Sequence, residues 1–171
     1  MAWMGNTVKD NKYYLCKGMK AIAVFQGKVK GTVQFEEHEN SVILRIQLTG
    51  LKRNALHGFH VHEAGDLTDK CESMCAHFNP YNVEHGGPGM KIRHVGDLGN
   101  IATDANGQCN MMIQDDCIKL KGKCSVLGRG LIIHADPDDY GLGGHADSKK
   151  TGHSGKRIAC AIIGVAKDNF E

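Results

Sequence analysis

SVILRIQLT, residues 41–49, puts Val42, Leu44, Ile46 and Leu48 on one face of an extended chain and Arg45, Gln47 and Thr49 on the other. That period of two marks a strand with one face buried and one in water. Upstream, KAIAVFQ (20–26) and VKGTVQFE (29–36) read as a hairpin turning at Gly27-Lys28. Downstream, GFHVHE (58–63) is a strand, and strands resume at 94–102. After the turn TDANG (103–107), Cys109, Met111 and Ile113 alternate; RGLIIH (129–134) and RIACAIIGVA (157–166) complete the set. No segment reads as a convincing helix. Eight short strands predict an all-β fold, an eight-stranded Greek-key β-barrel or sandwich of immunoglobulin-like kind. Two stretches resist this pattern, residues 65–93 and 135–156. Loops of that length in a compact domain are usually functional.

Composition narrows the classes. The 171 residues suffice for one buried core. With neither an internal repeat nor a low-complexity linker, the expectation is a single domain over 19–171 behind an N-terminal extension, 1–18. A net charge of +2 is too balanced to imply nucleic acid or a membrane surface as partner. No apolar run approaches the ~20 residues that cross a bilayer, and residues 1–18 lack the apolar centre of a signal peptide. The 22 glycines and 3 prolines suit strands and tight turns. Seven cysteines leave at least one thiol free or bridging between chains. No CxxC pair and no Asn-x-Ser/Thr sequon occurs. The expected compartment is the cytoplasm, with a form secreted after signal-peptide removal as the alternative.

The histidines carry the chemistry. Residues i and i+2 of a strand face the same side, so His60 and His62 point together, away from Phe59 and Val61. His77 and His85 lie in the first long loop, His94 and Asp97 sit three apart before the next strand, and His134 ends a strand. His38, His57, His145 and His153 read as ordinary surface or core histidines. Imidazole suits copper and zinc, and imidazoles with a carboxylate make a closed zinc set. His60, His62 and His134 lack a fourth ligand, as do His85, His94 and Asp97. His77, between the sets in sequence, is the candidate to serve both.

The chain resembles the copper/zinc superoxide dismutases. The strings that carry the resemblance are GFHVHE (58–63), HFNP (77–80), HGGPG (85–89), HVGDLGN (94–100), the strand end at His134 and KTGHSGKRIAC (150–160). The match runs from about residue 56 to 166, more loosely over 20–55.

The resemblance implies one copper and one zinc per subunit. His60, His62, His77 and His134 would bind copper, and His77, His85, His94 and Asp97 would bind zinc, with His77 bridging and exchanging a proton during turnover. Asp138 would join a ligand of each metal from outside, and Arg157 would be the cation beside the copper. Cys71 and Cys160 would form the disulfide that ties the long loop to the last strand. Closing a loop of roughly 100 residues is worth ~4–5 kcal/mol in the chain-entropy view. The implied reaction converts superoxide to O2 and hydrogen peroxide by alternate reduction and reoxidation of copper. Lys149, Lys150 and Thr151 are the candidates for guiding the anion. Implied partners are a second copy, in a homodimer formed through the last strand and neighbouring loops, and a copper chaperone for metal loading.

Two features depart from the family pattern. Ala146-Asp147 stands where two acids are usual, followed by Lys149-Lys150. Cys75 reads as a free loop thiol, with a rival bridge to Cys160 or a competing metal thiolate as the sharper reading. The competing function is a copper chaperone or metal-binding domain on the same scaffold. Such relatives often lose a copper ligand or the arginine and gain cysteine motifs. This chain keeps them all and has no CxC or MxCxxC.

Overall fold

The computed structural model describes residues 18–169; Cys16 and all but the end of the 1–18 extension lie outside the described residues. Eight strands follow in order: β1 (Lys20–Gln26), β2 (Lys30–His38), β3 (Ser41–Thr49), β4 (Leu56–His62), β5 (Asp97–Ala102), β6 (Cys109–Asp115), β7 (Gly130–His134) and β8 (Arg157–Val165). They pair antiparallel throughout, in the spatial order β5-β4-β7-β8-β1-β2-β3-β6. The outermost strands, β5 and β6, lie against each other, so the sheet curls into a nearly closed barrel.

Alternation builds the interior. Val42, Leu44, Ile46 and Leu48 of β3 are buried, as are Ala21, Ala23 and Phe25 of β1 and Val33 and Phe35 of β2. Phe59 and Val61 of β4 complete the wall from the other side. Yet β4 is buried on both faces from His57 to His62. Its inner face meets the core, and its outer face, with His60 and His62, is sealed by the two long loops. The first loop is laced onto β4 by hydrogen bonds from Phe78 N–H to Val61 C=O (2.8 Å) and from Val61 N–H to Gly96 C=O (2.9 Å). A Cβ on Gly96 would collide with the Val61 carbonyl, so only glycine lets these backbones meet.

The strand expected from residue 94 begins only at Asp97, because His94 and Val95 still belong to the loop. Among the described residues helix is limited to single turns: a 3-10 turn at Glu72–Met74, α1 at Ser148–Thr151 and a 3-10 turn at Lys167–Asn169. None of the helices is long and apolar enough to cross a membrane.

Candidate metal centre

Two irregularities in strand pairing aim the donors. The β4–β5 ladder shifts register between Gly58 and His60, where His60 falls opposite Asp97. The β7–β8 ladder shifts between Ile133 and His134, where His134 falls opposite Arg157. Bulges re-aim side chains in this way beside active sites. His77 is brought in by an isolated antiparallel bridge to His62.

The result is two groups of buried donors. His60, His62, His77 and His134 form one, and His77, His85, His94 and Asp97 the other, with the donor atoms of each within 4.8 Å of one another. His77 belongs to both, as its place in the sequence suggested. Its Nδ1 lies 2.9 Å from Asp97 Oδ1, which leaves Nε2 for the first group.

The hydrogen bonds around His60, His62 and His134 fix which nitrogen is open. A ring nitrogen facing a carbonyl or carboxylate donates its proton, so the other keeps a lone pair. His62 Nδ1 donates to Cys75 C=O (2.9 Å) and His134 Nδ1 to Gly155 C=O (3.2 Å). His60 Nε2 donates to Asp138 Oδ2 (2.7 Å), His85 Nε2 to Asp138 Oδ1 (2.8 Å) and His94 Nε2 to Val83 C=O (3.0 Å). The atoms left buried without a hydrogen-bond partner include His60 Nδ1, His62 Nε2 and His134 Nε2, whereas His85 Nδ1 lies 3.0 Å from Asp97 Oδ2. Buried lone pairs that converge without donors cost energy unless a cation meets them. An imidazole set beside an imidazole–carboxylate set matches the donor chemistry of copper and zinc.

The electrostatics of the first group agree. Burial, reinforced by neighbouring imidazoles, holds His60 and His62 well below the usual histidine range and lowers His134 to about 4. Burial also lowers His77, against the pull of Asp97. Neutral imidazole is the form that binds a metal. Burial works against ionisation of Asp97 as well, but its bonds to His77, His85 and His94 prevail and hold it far below the carboxylate range. Burial disfavours charge on His85, but hydrogen bonds to Asp138 and Asp97 raise it to about 9.

The first group opens onto a channel of about 910 Å³, lined by His62, His77 and His134 together with Lys150, Thr151, Lys156 and Arg157. The Arg157 guanidinium is clamped by the Cys71 (2.7 Å), Glu72 (3.2 Å) and Cys75 (2.5 Å) carbonyls. Cys71 and Cys160 are joined as a disulfide with Cα atoms 5.6 Å apart, and Cys75, Cys109, Cys117 and Cys124 are free. The rival Cys75–Cys160 bridge is therefore not made. Lys149 turns away to Glu84 (2.9 Å) and lines a neighbouring cavity with His94. Lys156 and Glu72 were missed as channel residues; only the position of Lys156 beside Arg157 could have signalled its place. His57 was also passed over. It is buried, and its Nδ1 donates to the carbonyl of His134 at 2.7 Å. Asn100 grips the Asp138 backbone from both sides (2.7 and 2.9 Å).

Comparison with known proteins gives a consistent picture. The family described as "Copper/zinc superoxide dismutase (SODC)" matches residues 29–163. A Superoxide dismutase [Cu-Zn] of Paramecium bursaria Chlorella virus 1 is 60% identical over 164 residues, covering 96% of this chain and 88% of the relative. One from Candida albicans is 51% identical, covering 87% and 99%. An Extracellular superoxide dismutase [Cu-Zn] of Drosophila melanogaster is 51% identical, covering 81% and 77%. The crystal structure of the clock protein EA4 superposes with a TM-score of 0.85 at 41% identity, covering 88% of this chain and 96% of that one.

Proposed function

Because the chain belongs to the copper/zinc superoxide dismutase family, we propose a division of labour among its residues. The protein is a superoxide dismutase that carries copper and zinc. His60, His62, His77 and His134 hold the copper, and His77, His85, His94 and Asp97 hold the zinc. The sharing of His77 by two four-residue donor sets carries this reading. When bound, copper accepts and returns one electron, while zinc, without redox chemistry, fixes its ligands.

The protein's own groups supply the rest. Arg157, held as a rigid fork by three carbonyls, receives the small anion at the channel floor. Lys150, Thr151 and Lys156 line its approach. His77 can hold a proton at Nε2 and pass it to the reduced product, while Asp97 steadies the ring at Nδ1. Asp138 fixes the rings of His60 and His85 together. A metal carrier has no need of a clamped arginine in a channel beside the first donor set, which favours the enzyme assignment for these residues over the carrier one. The test is metal analysis with a dismutation assay on the wild type and His77→Ala. One copper and one zinc per chain with activity, and loss of both zinc retention and activity in the variant, supports the division. Unchanged zinc content and activity in His77→Ala overturns it.

A homodimer is the second part of the proposal. Ile22 pairs with Gly164 across β1 and β8, and two residues further along each strand Val24 and Ile162 point the same way. Val24 is 45% and Ile162 39% exposed, an apolar strip on the outer face of the barrel. Sedimentation of the wild type as a dimer and of Ile162→Lys as a monomer is the expected result. The free thiols of Cys75, Cys109, Cys117 and Cys124 favour a reducing compartment such as the cytoplasm, which cell fractionation tests. Delivery of copper by a chaperone is proposed on family resemblance.

A further inference from the structure

The channel wall holds two acids that neither donor set uses, Glu72 and Asp147. Asp147 lines the channel beside Lys150, Thr151, Lys156 and Arg157. Its Oδ1 lies 2.7 Å from His153 Nδ1, with both side chains about half exposed. The ring of His145 lies flat on that of His153, centroids 3.7 Å apart and planes within 11°. The second loop creates this contact by folding back on itself. The Asp147 carbonyl accepts from the N–H groups of Lys150 (2.9 Å) and Thr151 (2.8 Å), opening α1; Gly152 (φ +67°) and His153 (φ +51°) then reverse the chain.

We infer that His153, seated between Asp147 and His145, is a proton-operated steering residue for superoxide capture. His153 Nδ1–H donates to Asp147 in either state, so the added proton goes to Nε2. With His153 neutral, Asp147 presents a full negative charge to the channel and opposes an approaching anion. With His153 protonated the pair is neutral, and the field of Lys150, Lys156 and Arg157 acts undiminished apart from Glu72. His145 limits the device to one proton: two charged rings stacked at this distance repel. Asp147 decides which ring keeps it. Asp147 and His145 touch His153, and Lys150, Lys156, Arg157 and Glu72 line the channel with Asp147. One unit charge about 10 Å from an anion in water changes its local concentration roughly twofold, less in salt.

This inference rests on the dismutase reading, so its test has two independent readouts. The first is the second-order rate constant for superoxide, measured on the metal-loaded enzyme as a function of pH. At low ionic strength it should fall about twofold as pH rises, and the step should shrink with added salt. His153→Asn, whose side chain tolerates positive φ, should abolish the step while leaving the high-pH rate unchanged. The second is an NMR titration of His153 in the reduced, diamagnetic protein. Its midpoint should drop in Asp147→Asn, whether or not the protein turns over superoxide. A step that survives His153→Asn, a step indifferent to salt, or a midpoint unmoved by Asp147→Asn overturns the inference.

Discussion

Asp138 Oδ2 accepts a hydrogen bond from His60 Nε2 at 2.7 Å, which leaves Nδ1 as the open nitrogen of that ring. The other oxygen of the same carboxylate accepts from His85 Nε2. One side chain therefore anchors a ring of each donor set. Asp138→Asn keeps one acceptor oxygen and turns the other into a donor, so only one ring retains its partner. Zinc affinity should fall 10- to 100-fold, the range typical of such supporting bonds. Competition with a chelator measures it; unchanged zinc retention would argue that the ligands are self-supporting.

The two adjacent lysines should differ in effect. Lys149 is paired with Glu84 and faces the neighbouring cavity, whereas Lys150 lines the channel itself. Lys150→Ala should lower the superoxide rate constant about twofold at low ionic strength, and Lys149→Ala by clearly less. Equal losses from both would place the guiding field elsewhere.

The Cys71–Cys160 bridge closes 89 residues of chain. Its loss through Cys160→Ser should cost up to ~4 kcal/mol, seen as a lower midpoint in denaturant unfolding. Activity should fall as well, because the Cys71 carbonyl is one of the three that clamp Arg157. A destabilised variant with a full rate constant per bound copper would separate the bridge from the clamp.

In the metal-free protein, stability should pass through a maximum with pH. His134 is lowered by burial from 6.5 to about 4, so the unfolded chain binds the proton first on acidification. Its contribution is present above about pH 6.5 and lost as pH falls toward 4, on the order of 3 kcal/mol. His60 and His62 act in the same direction. His85, raised to about 9, acts oppositely: its contribution is complete below 6.5 and lost as pH rises through 9. Urea unfolding across this range should show the dome, and metal loading should steepen its acid side, because protons compete with the metal for the same nitrogens. A monotonic profile would contradict the assignments.

Sequence alone determined what depends on near neighbours along the chain. A strand's period is two residues, so SVILRIQLT revealed its buried face and GFHVHE revealed two imidazoles on one side. Burial of Val42, Leu44, Ile46 and Leu48, and the pairing of His60 and His62 in one donor set, follow from that local rule. The remaining donors were legible as residue types in a recurrent pattern. Tertiary structure decided whatever depends on how distant segments meet. Two register shifts aim His60 and His134, a lysine two residues from Asp147 joins Glu84 while the next enters the channel, and Cys75 stays free though it is closer in sequence to the ligands than Cys71. His145 and His153 looked ordinary because nothing local to either announces the other. Only the path of the loop, reversed at Gly152, stacks them and sets Asp147 beside them.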